Sequence, residues 1–170
     1  MEISALSKTC TVRKLVEADI PAVLRLCQGN PQYYEHCPPA VTTETIRADM
    51  RALPPNKGVE DKYYLGLWDG ENLAAVLDLI VKYPNEQTAF LGFFMVDAAQ
   101  QGQGFGSQLV EELCAALARE YKFVRLGYVK GNPQSERFWY KNHFLPTGIV
   151  TRTEDYEIIV MERTLERKQA

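Results

Sequence analysis

Val96-Asp-Ala-Ala-Gln-Gln-Gly-Gln-Gly-Phe-Gly-Ser107 joins a strand-like run directly to a helix-like one, with glycines at 102, 104 and 106 between them. Glycine reaches backbone conformations that other residues avoid, and the first turn of a helix offers unpaired N–H groups at the positive end of its dipole. Such a loop grips a pyrophosphate, so a phosphorylated cofactor is expected. Upstream, Ala89-Phe-Leu-Gly-Phe-Phe-Met-Val96 is apolar, aromatic and short for a helix, and it reads as a strand covered on both faces. Downstream, Phe105, Leu109, Leu113 and Leu117, with Val110 and Cys114 beside them, form one apolar stripe at helical spacing. Glu111, Glu112, Arg119 and Glu120 read as its solvated face.

Other owners of glycine loops fit less well. A P-loop needs Gly-Lys-Ser/Thr, and no Gly-Lys pair occurs in the chain. A dinucleotide fingerprint needs G-x-G-x-x-G and an acid about 20 residues on, whereas the pattern here is G-x-G-x-G with no well-placed acid around Lys122. The 170 residues are 46% hydrophobic with no composition break, which predicts a single domain over 1–170 with loose ends at 1–9 and 166–170. The 19 basic and 22 acidic residues give a net charge of −3, so no general field favours nucleic acid or an anionic membrane. Cys10, Cys27, Cys37 and Cys114 form no C-x-x-C pair and the two histidines lie far apart, so neither a metal site nor a disulfide scaffold is expected. No run approaches 18 apolar residues, and a cytoplasmic protein with reduced thiols is the expectation.

Two segments together resemble the GCN5-related N-acetyltransferases (GNAT). Gln101-x-x-Gly104-x-Gly106 is similar to that family's pyrophosphate loop, Gln/Arg-x-x-Gly-x-Gly/Ala. Asn132-Pro-Gln-Ser135-Glu-Arg-Phe138-Trp-Tyr-Lys141-Asn-His-Phe144 follows at the expected distance and resembles Asn-x-x-Ala-x-x-Phe-Tyr-x-Lys-x-Gly-Phe. Upstream, Val12 to Leu24 resembles the family's opening strand and first helix, so the resemblance covers nearly the whole chain. It implies an α/β (α+β) fold, a mixed and mostly antiparallel sheet of about seven strands flanked by about four helices. It also implies an acetyl-CoA-dependent N-acetyltransferase, monomeric or homodimeric, passing acetyl directly to an amine. A small-molecule or amino-acid-like acceptor is the first expectation; a protein N-terminus or lysine, and a non-catalytic acyl-CoA-binding module, are the alternatives.

The resemblance assigns roles residue by residue. Backbone groups of Phe94, Met95 and Val96 would meet the pantetheine arm and acetyl oxygen, and Gln101, Gly102, Gln103, Gly104, Phe105, Gly106 and Ser107 would hold the pyrophosphate. Asn132, Ser135, Trp139 and Lys141 would complete the cofactor site, with Arg137 or Lys141 adding charge. Asn132 followed by Pro133 also reads as a helix N-cap. Trp139 stands where the family places a tyrosine that protonates the leaving thiolate, and an indole N–H supplies no usable proton. Tyr140 lies about 100° further round the helix. His143 stands at the usual helix-ending glycine, where a left-handed cap is expected, and both remain acid–base candidates. Asp78, inside the apolar run Leu73 to Val81, would be costly if buried alone, so it should face a wet cleft or a partner and is a candidate base. Glu35 is a second candidate. Tyr33, Tyr34 and His36 beside it would border the acceptor, ring faces and charge suiting a cationic amine.

Overall fold

The computed structural model describes residues 1–166. Its elements are β1 (Thr11–Lys14), α1 (Ile20–Gln28), α2 (Pro31–His36), α3 (Thr43–Arg51), β2 (Lys62–Asp69), β3 (Asn72–Val81), β4 (Thr88–Val96), α4 (Phe105–Leu117), β5 (Phe123–Val129), α5 (Pro133–Lys141), β6 (Leu145–Arg152) and β7 (Glu157–Thr164). The strands form one sheet in the order β1-β2-β3-β4-β5-β7-β6. The β4–β5 pair is parallel and every other neighbour is antiparallel.

Local chemistry sets the boundaries. Pro21 stands in the first turn of α1, where a missing N–H costs little. Thr42 caps α3 by accepting the Thr45 N–H at 3.1 Å while Thr45 Oγ1 accepts the Thr42 N–H at 2.9 Å. The β2–β3 hairpin turns through Gly70 at φ +58°. The sequence reading differs from the structure at three places here. There are five helices rather than four, because α2 has only six residues and no apolar period to announce it. Strand β6 is longer than the segment Gly148–Val150 that the sequence by itself suggests, since Pro146 and Gly148 interrupt its pattern and its register shifts between Pro146 and Val150. The end at 1–9 is docked rather than loose: Leu6 is buried, and Ser7, Lys8 and Thr9 all donate hydrogen bonds to Glu112 on α4. Glu112 is accordingly no part of a solvated face. The other expected loose end, from residue 166, lies almost wholly outside the described residues.

Each face of the sheet carries its own core. On one face Leu65, Leu77, Leu79 and Leu91 pack with Leu109, Leu113 and Leu117 of α4 and with Trp139 of α5. On the other, Tyr64, Val76 and Met95 pack with Val23 and Leu26 of α1 and Ile46 of α3. Burying each of these aliphatic side chains stabilises the fold by roughly 1.5–3 kcal/mol. Among the described residues no helix is long and apolar enough to cross a membrane.

Candidate functional site

The site begins where two parallel strands part. Strand β4 pairs with β5 from Thr88↔Phe123 to Leu91↔Leu126 and no further, although β4 continues to Val96 and β5 to Val129. Beyond Leu91 the β5-facing edge of β4 therefore has no strand partner, and a cleft of about 500 Å³ opens there. The separation coincides with a bulge. Asp78 pairs with Phe93 but Leu79 pairs with Leu91, so Gly92 is an extra residue on β4. An extra residue shifts the side-chain alternation by one. Ala89 and Leu91 share a face with Phe94 and Val96, whereas Phe93 turns to the α1/α3 face. A Cβ on Gly92 would lie 2.8 Å from Asp78 Oδ2, so any larger residue at the bulge must displace that carboxylate. The strand expected to be covered on both faces is thus open over its second half, where Gly92 is exposed and Phe93 and Phe94 are half-buried.

The glycine loop closes one end of the cleft. Gly102 and Gly104 have φ of +80° and +81° with open space where a Cβ would be, so their backbone conformation, not crowding, demands glycine. Gly106 differs, because a Cβ there would meet the Phe138 ring at 3.2 Å and Val96 at 3.4 Å; it lets α4 approach α5 and β4. The first helical bond of α4 runs from Gln108 N–H to Gly104 O at 3.0 Å, which leaves the N–H groups of the preceding turn for a ligand. The Gln101 side chain braces this loop by donating to Asn30 Oδ1 at 2.5 Å and Val96 O at 2.9 Å. Gln101, Gly102, Gly104, Gly106 and Ser107 line the cleft; Gln103 is exposed outside it, and the Phe105 side chain packs against the α4 core instead.

The opposite wall comes from α5. Asn132 is its cap, Oδ1 accepting the N–H groups of Gln134 and Ser135 at 3.1 Å each. Asn132, Ser135, Trp139 and Lys141 line the cleft with Phe94, Met95 and Val96. Trp139 is 8% exposed, with ring centroids 6.0, 4.8 and 5.2 Å from Phe94, Phe138 and Phe144. Arg137 is off the wall, its Nε donating to Pro133 O at 3.1 Å. Lys141 is the one basic residue on the wall among the described residues, so an anion here is held chiefly by backbone amides and the α4 dipole.

A second cavity, of about 370 Å³, adjoins the first on the α3 side of the sheet. Tyr33, Cys37, Gly92, Phe93 and Tyr156 line both, so the two spaces meet at the β4 bulge. Tyr33 packs edge-on against Tyr34 and Phe93, centroids 5.0 and 5.7 Å apart. Asp78 lies in this cavity and accepts two hydrogen bonds from Lys62 Nζ, at 2.7 and 2.8 Å. Burial raises the Asp78 pKa above the usual carboxylate range; Lys62 pulls it back and Asp49, at the rim, pushes it up again. Desolvation likewise raises Asp49, against the pull of Lys62.

Four expected chemical residues are not brought to the site. Glu35 is exposed and His36 half-buried, and neither lines a cavity, because α2 presents Tyr33 and Tyr34 instead. Tyr140 is 44% exposed on the outer side of α5. His143 is exposed at φ +66°, the left-handed cap expected of it, and away from both cavities. Conversely, Asn30, Cys37, Asp49 and Tyr156 line the site without having been singled out. Asn30, before a proline at a turn, carried a weak signal; Tyr156 and Asp49 carried none, since their neighbours come from distant strands and helices.

With this geometry in place, a family model described as "Acetyltransferase (GNAT) family" matches residues 28–144. Among solved structures, an acetyltransferase from Thermus thermophilus is similar at a TM-score of 0.74 and 20% identity, over 97% of this chain and all 100% of that one. An acetyl transferase from Salmonella typhimurium, described as modifying the N-terminal serine of ribosomal protein L7/L12, gives 0.73 and 21% over 97% and 100%. RimL, a ribosomal L7/L12 alpha-N-protein acetyltransferase in complex with coenzyme A, gives 0.68 and 21% over 96% and 98%. No curated protein sequence matches significantly.

Proposed function

Since the chain belongs to the acetyltransferase (GNAT) family and is an acetyl-CoA-dependent N-acetyltransferase, we propose that it passes acetyl directly to the primary amine of a small molecule seated in the aromatic cavity beside the cofactor cleft. The meeting of cleft and cavity at Gly92 and Phe93 carries this reading, because it lets a thioester and an amine approach from opposite faces of the sheet without a covalent enzyme intermediate. The glycine loop holds the pyrophosphate, and the free edge of β4 beyond Leu91 runs alongside the pantetheine arm. Backbone donors on that edge stabilise the oxyanion formed when the amine attacks, an effect of a few kcal/mol in a dry site.

An ammonium ion cannot attack, so a proton must leave it first. Asp78 is the acceptor of that proton by position: it is the carboxylate nearest the bulge, touching the space over Gly92, and its raised pKa brings it closer to the amine it must deprotonate. Tyr33, Tyr34 and Phe93 supply ring faces for the cation and Asp49 a rim charge.

A peptide N-terminus is the second reading, favoured by the described activities of the Salmonella protein and of RimL. Amine-dependent CoA release across tyramine, spermidine, amino-acid amides and N-terminal hexapeptides tests both. Small amines should turn over with the higher kcat/KM. Turnover of peptides alone would transfer the reading to a protein acceptor, and background rates throughout, with acetyl-CoA bound, would reject direct transfer to either.

A further inference from the structure

The cavity beside the cofactor cleft carries one charge that the fold leaves unanswered. Asp49 and Asp78 are the charged side chains lining it among the described residues. Asp78 is met by Lys62, whose Nζ reaches both of its oxygens. Asp49 makes no hydrogen bond or ion pair among the described residues and feels Lys62 only through space, while its side chain stays open at the rim. Its place also costs stability: it sits in the last turn of α3, where a negative charge opposes the helix dipole.

The rest of the lining narrows what this charge can receive. Ala48 and Ala52 flank Asp49 on the cavity side of α3 and its C-cap, and the rings of Tyr33, Tyr34 and Phe93 line the same space. The polar side chains there are already engaged. The Tyr33 and Tyr34 hydroxyls bond Cys37 and Cys27, the Tyr156 hydroxyl accepts from the Cys37 thiol at 3.6 Å, and Thr45 Oγ1 donates to Thr42 O at 3.0 Å. Peptide amides would therefore find no spare side-chain partner, and an anionic tail would find no cation, since Lys62 is spent on Asp78. Methyl groups and ring faces suit a chain of methylenes.

We propose that the acceptor is an aliphatic diamine, whose far ammonium pairs with Asp49 while its near amine reaches the thioester beside Gly92 and its methylenes lie along the rings and the α3 alanines. This rests on the direct-transfer reading above and makes Asp49 the residue that sets specificity. The charges balance: the near amine passes its surplus proton to Asp78, and the one positive charge left on the substrate faces the one carboxylate left without a partner.

The test uses the full chain with acetyl-CoA, and compares putrescine and cadaverine with butylamine, pentylamine and γ-aminobutyrate. The diamines should exceed the alkylamines of matched length about tenfold in kcat/KM, chiefly through KM, as befits a hydrogen bond to a charged group; γ-aminobutyrate should be the poorest acceptor. Asp49→Asn should bring the diamine-to-alkylamine ratio close to one, Asp49→Glu should keep it above one, and Asp49→Lys should shift preference towards γ-aminobutyrate, with acetyl-CoA affinity by calorimetry confirming that each variant is folded. A wild-type ratio near one, with the alkylamines turning over, overturns the diamine assignment and leaves direct transfer to a small amine standing. A ratio that survives Asp49→Asn removes Asp49 from recognition. A wild type that releases no CoA with any small amine overturns the parent reading and this one with it.

Discussion

The two halves of the site are made from different material. The half proposed to hold the cofactor is backbone: two left-handed glycines, the opening turn of α4, and the strand edge that β4 exposes after Leu91. The half proposed to take the acceptor is side chain: Tyr33, Tyr34, Phe93, Tyr156, Asp49 and the Asp78–Lys62 pair, drawn from separate helices, strands and loops. Backbone geometry is dictated by a short run of sequence, whereas a cavity of side chains needs the whole fold to assemble. The first half therefore fixes the class of chemistry, and the second selects the molecule acted on.

Four substitutions press on this division. The largest effect is expected from Gly104→Asp, which forces a side chain into φ +81° and sets a negative charge against the pyrophosphate; acetyl-CoA affinity should fall more than about a hundredfold by titration calorimetry, with the fold retained. Wild-type affinity in that variant would remove the loop from the cofactor site. Asp78→Asn comes next, lowering kcat about a hundredfold with acetyl-CoA binding intact. Because a base must be ionised, wild-type kcat should rise with pH through the raised Asp78 pKa and the variant should lack that acid limb. Lys62→Met combined with Asp78→Asn removes the unpaired ammonium that the single change leaves behind, and an unaltered pH profile in both would dismiss Asp78 as the base. Trp139→Phe should change turnover no more than a few-fold if the indole only packs; a hundredfold loss would give it a catalytic hydrogen bond instead.

Glu112→Gln should leave turnover alone and act on stability. Burial would raise this carboxyl, but hydrogen bonds from the Ser7 and Thr9 hydroxyls and the Lys8 and Thr9 amides outweigh it and hold it at about 2. A depressed carboxylate stabilises the fold above its unfolded value and loses that contribution as pH falls towards its folded one. Screening by solvent at this partly exposed carboxylate reduces the contribution to on the order of 1 kcal/mol, so the variant should be less stable at pH 7 by about that much, and the gap should close between about pH 4.5 and pH 2. Urea unfolding at both ends of that range measures it; a constant gap would mean that contacts other than the charge hold the N-terminal segment.

Legibility in the sequence followed the same line. The strand, glycine loop and amphipathic α4 could be read because each is specified within about 30 consecutive residues by glycine position and apolar period. Asn132 could be read as a cap because Pro133 follows it. Asp78 was conspicuous as a carboxylate in an apolar strand, but its partner Lys62 sits on the next strand and no local pattern links them. The bulge at Gly92 was invisible: a single glycine in a strand carries no mark of whether it shifts the register, yet that shift sends Phe93 to one core and Phe94 to the other. Glu35 and His36 could not be placed relative to the cavities because a six-residue helix has no period from which to tell its inner side.

The parting of β4 from β5 has a consequence for inhibitor chemistry. In the proposed arrangement cofactor and acceptor are reached from opposite faces of one sheet and touch through a window beside a single glycine. A conjugate joining the CoA sulfur to an acceptor amine would run through the sheet, and anchoring either end would fix the effective concentration of the other. The cofactor end, held by backbone, would tolerate almost any partner; gains in affinity along a series of such conjugates would therefore come from the acceptor end, and would trace the shape of the molecule this protein was built to modify.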